Sequence, residues 1–241
     1  NQNIMFLTFK IANIFTTIDT RINRSSLEQN DMIENEFWNM ISLLELVLAH
    51  NKLEEPQSIH NISYFTEQIY KEVQLNYPKL NISDEEIENV SKLATIHDIG
   101  KLFTPYEILN KKGKLTKDEM DIIKKHPLNG ANMALKLPKC GKASKLVQYA
   151  YNICLYHHER YDGQGYPKGL IGDEIPLEAQ VVGLADAYDA LISERPYKRK
   201  INHGEAVRMI VNGECGSFSP KVILSFIIAS MNKTWIEKVS K

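Results

Sequence analysis

Seven histidines are spread along the 241-residue chain: His50, His60, His97, His126, His157, His158 and His203. Four of them do not read as independent residues. His97 is followed directly by Asp98 and lies on one helical stripe with Ile87, Val90 and Ala94. His126 closes a second helical stretch, ahead of Pro127. His157 and His158 close a third, whose apolar face carries Val147, Tyr151 and Cys154. An imidazole beside apolar positions is costly unless it is hydrogen-bonded or bound to metal. Helix ends converging on one point are how bundles build metal sites. Imidazole suits iron, manganese or zinc, and a carboxylate can bridge two ions. Two ions about 3.5–4 Å apart can clamp a phosphate oxygen and hold a hydroxide between them. The His97-Asp98 pair suits this, with the aspartate bridging and the histidine serving one ion. The pair at 157–158 carries a condition. Neighbours on a 3.6-residue turn point about 100° apart, so both reach one ion only where the backbone leaves the regular helix.

The elements that must gather these residues read with helical periodicity almost throughout. Ile4, Leu7, Ile11, Ile14 and Ile18 alternate steps of three and four, two heptads of an a/d stripe that stops at Arg21. That stripe is either a helix packed on its own domain or a dimer seam that transmits a signal. Residues 19–32 are polar and read as a loop or linker, and a helix follows from about Asn35 to His50. Ser83 and Glu86 form a capping box, with Ile82 and Ile87 as its hydrophobic staple. Thr116 and Glu119 repeat the device for a helix running to His126. Further helices are expected at about 142–159, at 177–193 and from about 203 and 219. Between the first two lies a loop, 160–176, rich in glycine and proline. The expected fold class is all-α: a helical bundle with a dinuclear metal site at converging helix ends, plus an N-terminal helical extension. Residues 1–52 are expected to be that extension or the tail of an upstream domain, and residues 53–241 the functional domain.

Bulk properties narrow the function classes. A net charge of −1 provides no global field for nucleic acid, so no DNA or RNA partner is expected. No run of 18 apolar residues is present, so no membrane span is expected. Cys140, Cys154 and Cys215 are far apart without CxxC spacing, which points to free thiols in a reducing, cytoplasmic setting. The chain begins at Asn1, which suggests a cut from a longer protein with room for a sensor domain or an anchor upstream; a homodimer through the N-terminal helix is the second reading of the Ile4–Ile18 stripe.

The run His97-Asp98-Ile99-Gly100-Lys101, followed by His157-His158-Glu159-Arg160-Tyr161-Asp162-Gly163-Gln164-Gly165-Tyr166-Pro167, resembles the HD-GYP phosphodiesterases, a branch of the HD-domain phosphohydrolases. The resemblance extends from about Ile59 to Pro220. It takes in His126-Pro127, the run Ala185-Asp186-Ala187-Tyr188-Asp189-Ala190-Leu191, and Arg195-Pro196-Tyr197. A bare His-Asp dipeptide would be weak; the ordered composite is specific. It implies an HD-domain-like bundle and a metal-dependent phosphodiesterase. The implied substrate is a cyclic dinucleotide, cyclic di-GMP first. A metal-bridging hydroxide would open it to the linear dinucleotide, with mononucleotides as a further product left open.

Carried over position by position, the resemblance implies that His60, His97, Asp98 and Asp186 hold one ion. Asp98, His126, His157 and His158 would hold the other, with Asp98 bridging. Two divalent ions are expected, iron or manganese. A third is not, because Pro56 stands where some members carry a glutamate, and Glu54 and Glu55 are close but out of register. Lys101 is expected to place its ammonium on the scissile phosphate, and Arg195 and Lys198 to contact phosphate, Arg195 as a bidentate fork. Gly163 and Tyr166 belong to the loop that names the family. Tyr166 offers a face for a purine, while a rigid structural turn is the alternative. Asp189 is expected as a cap or an acceptor behind the ligands. Two rival readings remain. One is a catalytically silent module that senses the dinucleotide. The other is an HD-type phosphohydrolase acting on a dNTP or a guanosine alarmone, which leaves the Gly163–Pro167 loop unexplained.

Overall fold

The computed structural model describes residues 26–51, 53–139, 143–193 and 200–239. The Ile4–Ile18 stripe, Cys140, Arg195 and Lys198 lie outside the described residues. Among the described residues eleven α-helices follow one another: α1 (Ser26–His50), α2 (Pro56–Asn76), α3 (Asp84–Leu93), α4 (Tyr106–Leu109), α5 (Lys117–Ile123), α6 (His126–Ala134), α7 (Ala143–Tyr156), α8 (Leu177–Ile192), α9 (His203–Val211), α10 (Pro220–Ser230) and α11 (Lys233–Val239). Tighter 3-10 turns at Ala94–Ile96 and Ile99–Phe103 continue the chain after α3. The fold is all-α, as expected; among the described residues the β-type pairing is one isolated bridge, Asp162 to Ile171. No described helix is long and apolar enough to cross a membrane.

Helices α2 and α8 form the centre. Helix α2 packs on α3, α8 and α10, and α7 packs on α6 and α8. Their buried stripes meet in one core: Ile62, Phe65 and Ile69 from α2, Ala150 and Ile153 from α7, Val181, Leu184 and Tyr188 from α8. Phe37, Ile41, Leu44 and Leu48 of α1 belong to the same core. At the far end, the Trp235 ring centroid lies 4.6 Å from Phe65 and 5.8 Å from Phe226. Tyr188 donates its hydroxyl proton to His203 Nδ1 (2.8 Å) and accepts from Trp235 Nε1 (3.0 Å), which joins α8, α9 and α11.

Two expected boundaries move. Residues 26–32, read as linker, are helical, because α1 is anchored by its buried Phe37–Leu48 stripe and extending an existing helix over polar residues is cheap. His126 opens α6 rather than closing α5: Lys124 and Lys125 turn the chain, and Pro127 occupies the first turn, where its missing N–H costs nothing. The Thr116–Glu119 capping box is complete. At Ser83 only half of the box forms, since Glu86 accepts instead from the Tyr70 hydroxyl at 2.7 Å.

Candidate metal centre

The site is assembled at helix ends. After α3 the backbone tightens into 3-10 turns, which turns His97 and Asp98 inward together; both are buried. His126 is the first residue of α6. Helix α7 ends at Tyr156, and His157-His158 sit in the turn beyond it, so the condition for both to face one point is met. Asp186 projects from α8. Two glycines permit the close approach of these pieces. A Cβ on Gly100 would stand 1.9 Å from His126 O, and one on Gly183 would stand 2.3 Å from His157 O. Only a glycine fits at either contact.

Three imidazoles share one device. Nδ1 of His97 donates to Ala94 O (2.9 Å), Nδ1 of His126 to Ile123 O (2.8 Å), and Nδ1 of His157 to Ile153 O (2.9 Å). A carbonyl can only accept, so each Nδ1 carries a proton and each Nε2 is turned toward the centre. Asp98 divides its carboxylate between two sides. Oδ1 lies 2.9 Å from His126 Nε2 and 3.8 Å from His157 Nε2. Oδ2 lies 3.3 Å from His97 Nε2 and against the Lys101 ammonium. Asp98, His126, His157 and His158 offer ligand atoms within 4.8 Å of one another, and so do Glu54, His97 and Asp98. Asp186 Oδ1 is 3.8 Å from His97 Nε2, on the second side.

Electrostatics separate the two sides. Burial presses the His157 and His158 imidazoles well below their usual range, and neighbouring imidazoles add to it, so both are neutral, the ligand form. At His97 burial also opposes charge, but Asp98, then Asp186 and Glu54, override it and raise the imidazole to about 9. Burial opposes the charge on Asp98 too. Lys101, His97 and His126 together outweigh it and hold the carboxyl well below the usual carboxylate range.

A divalent-ion pair fits these residues. His97 Nε2 and Asp98 Oδ1 are buried without a hydrogen-bond partner. His126 Nε2 and His157 Nε2 stand 3.4 Å apart with both ring protons already donated elsewhere. Two imidazole nitrogens facing one another beside a carboxylate are a donor set that a divalent cation suits.

The structure brings His97, Asp98, Lys101, His126, His157, His158 and Asp186 together. His60 is exposed and belongs to neither group. The reason is helical register: Ser58 and Asn61 share the face of α2 that grips Asp189 (2.5 and 2.8 Å), and His60 is about 100° from Asn61 on the turn. Asp189 accepts from Ser193 as well, so its acceptor role fastens α2 to α8. Lys101 bonds Glu54 Oε1 at 2.8 Å as well as Asp98. Glu54 is the residue that sequence reasoning set aside. It reaches the site from the connection between α1 and α2, where no helical period marks it, and its nearness to Pro56 was the only signal. Tyr166 stacks one ring face on His158, centroids 4.7 Å apart. Gly163 adopts a left-handed φ of 79° and packs against Ile171. Asp162 caps its own loop, accepting from Gln164 N at 3.0 Å.

A helical bundle thus gathers histidines and carboxylates from distant segments into adjoining groups that could hold metal ions. The family model described as HD domain matches residues 45–222, and the chain belongs to that family. Among curated relatives, the cyclic di-GMP phosphodiesterase response regulator RpfG of Xanthomonas campestris is 39% identical over 161 residues, 67% of this chain and 41% of that protein. A probable cyclic di-GMP phosphodiesterase of Vibrio cholerae is 44% identical over 152 residues, 63% of this chain and 34% of that protein. The chain therefore spans less than half the length of these relatives. A solved structure described as a cyclic GMP-AMP specific phosphodiesterase of V. cholerae superposes with a TM-score of 0.57 at 18% identity. It covers 86% of this chain and 51% of that one, and it supports the fold. The HD-GYP resemblance read from the motifs agrees with these relatives.

Proposed function

We propose that the chain hydrolyses a cyclic dinucleotide, cyclic di-GMP foremost, to the linear dinucleotide with the aid of two divalent ions, iron or manganese. The observation that carries the reading is the divided carboxylate of Asp98, one oxygen toward His126 and His157 and the other toward His97. The names of the relatives support the substrate class. His126, His157, His158 and Asp98 would hold one ion. His97, Asp98 and Asp186, joined by Glu54, would hold the other. His60 as a further ligand is supported by the resemblance alone, and so are the phosphate contacts of Arg195 and Lys198.

When bound, a pair of divalent ions supplies Lewis acidity to the phosphoryl oxygens and acidifies water. The chain's own groups do the rest. The three Nδ1–H···O=C bonds orient the imidazoles before substrate arrives, and Asp98, held ionised, keeps its negative charge at the centre of the site. Lys101 is kept protonated by Asp98 and Glu54 against the cost of burial. From there its ammonium would meet a phosphoryl oxygen whose charge grows in the transition state. Water oxygen bonds to phosphorus, the bond to the 3′ oxygen breaks, and that oxygen takes the proton. Tyr166 and Gly163 would sit beside the bound dinucleotide at the edge of the site. Cytoplasmic operation, an upstream sensor domain and a homodimer through the N-terminal helix complete the proposal and rest on sequence alone.

A panel of cyclic di-GMP, cyclic GMP-AMP, a dNTP and a guanosine alarmone, incubated anaerobically with ferrous iron or manganese, tests the reading. Linear dinucleotide from a cyclic substrate is expected. Turnover confined to the dNTP or the alarmone would replace it with the phosphohydrolase reading, and tight binding without product would replace it with a sensor.

A further inference from the structure

Four histidines face the centre, but only three are aimed by a ring-nitrogen bond to a carbonyl of the preceding helical turn. Among the described residues His158 makes no such bond, and it is half-buried where the other three are buried. A ligand imidazole left free to rotate about its side-chain bonds loses affinity for its ion. What holds His158 comes from the loop that follows it. Tyr166 lies nearly parallel to its ring, at an interplanar angle of 27° and a centroid distance of 4.7 Å. The same tyrosine donates its backbone N–H to His158 O at 3.2 Å. The Lys124 ammonium, 5.2 Å from the Tyr166 ring centroid, adds a further contact to that ring.

The loop is folded back by a neighbouring carboxylate. Glu159 is 4% exposed and has no cationic partner in any ion pair of the structure among the described residues. One of its oxygens accepts from Lys168 N (2.7 Å) and the other from Leu170 N (3.1 Å). A buried carboxylate that spends both oxygens on backbone N–H groups of one loop is a clamp on that loop's path. The clamp closes just beyond Tyr166.

We propose that Tyr166 and Glu159 are positioning residues for His158: the Tyr166 ring substitutes for the missing Nδ1 bond, and Glu159 fixes the loop that carries it. The loop thereby serves the metal side of the site, through the fourth histidine. The inference rests on the two-ion reading above and goes further by assigning one ion's affinity to a loop residue that touches no ion.

Anaerobic titration of the full chain with manganese, read as bound ions per chain, tests it with wild type and three variants. Wild type is expected to bind two ions. Tyr166→Ala is expected to weaken one of the two by about 10–100-fold, as loss of an outer-shell partner does, and to leave the other in place. Tyr166→Phe keeps the ring and is expected to bind both like wild type. Glu159→Gln, which keeps one acceptor oxygen, is expected to fall between. A melt of each metal-free protein separates a lost fold from a lost orientation. Two ions at wild-type affinity in Tyr166→Ala, with a raised KM for the dinucleotide, would overturn the proposal in favour of a purine platform while leaving the two-ion reading intact. A wild type that binds no ion would overturn both.

Discussion

At the residue scale the decisive group is Asp98. It is buried, its two oxygens face different histidines, and among the described residues no other carboxylate takes part in both ligand groups. Asp98→Ala is therefore expected to bring turnover to background and to remove bound metal, measured by elemental analysis of anaerobically purified protein. Glu54→Gln is milder. It takes a negative charge from beside Lys101 and His97, so the ion on the His97 side is expected to bind about 10-fold more weakly, the other remaining unchanged in the same titration. Most of this was legible in the residue order. His97, Asp98, His126, His157 and His158 announce themselves as polar groups on otherwise apolar faces. Glu54 could not, because it lies in a connection, where spacing carries no directional information.

At the element scale the site depends on how α2 is fastened to α8. Ser58 and Asn61 of α2 and Ser193 at the end of α8 all donate to Asp189, which is fully buried. Asp189→Ala leaves those donors without their acceptor, and a loss of about 1–3 kcal/mol is expected from the urea midpoint. Burial raises the Asp189 carboxyl above its usual value despite those three donors. The folded state therefore binds a proton more readily than the unfolded chain. The stability from this group is complete below the unfolded value of about 3.9 and is lost as pH rises through the higher folded value. Asp189→Asn is expected to flatten that segment of the stability–pH curve between acid and neutral pH. The helices that carry capping boxes and stripes were readable from spacing. The division at Lys124–Lys125 was not, because the stripe across it is continuous and only Pro127 marks the new helix. Helix α11 also escaped, being short and recognised only by the aromatic pocket that receives Trp235.

At the scale of the molecule, α1 and the bundle share one core, so the boundary expected near residue 52 separates segments of sequence whose side chains pack together. Trp235→Ala would empty a pocket among Phe65, Tyr188 and Phe226. A cost of about 3–5 kcal/mol is expected, seen as a lower Tm in the metal-free protein. Metal binding acts in the opposite direction. Ions that bind only the folded chain stabilise it by about 2.7 kcal/mol at 100 times their Kd. A chelator is expected to lower Tm in wild type and to have no effect on Asp98→Ala.

The most direct test is to titrate manganese into anaerobically prepared, metal-free protein and follow linear dinucleotide formed from cyclic di-GMP. Turnover is expected to be absent without metal and to reach its plateau only as the second equivalent binds. Full turnover by protein verified to hold no metal would contradict the account.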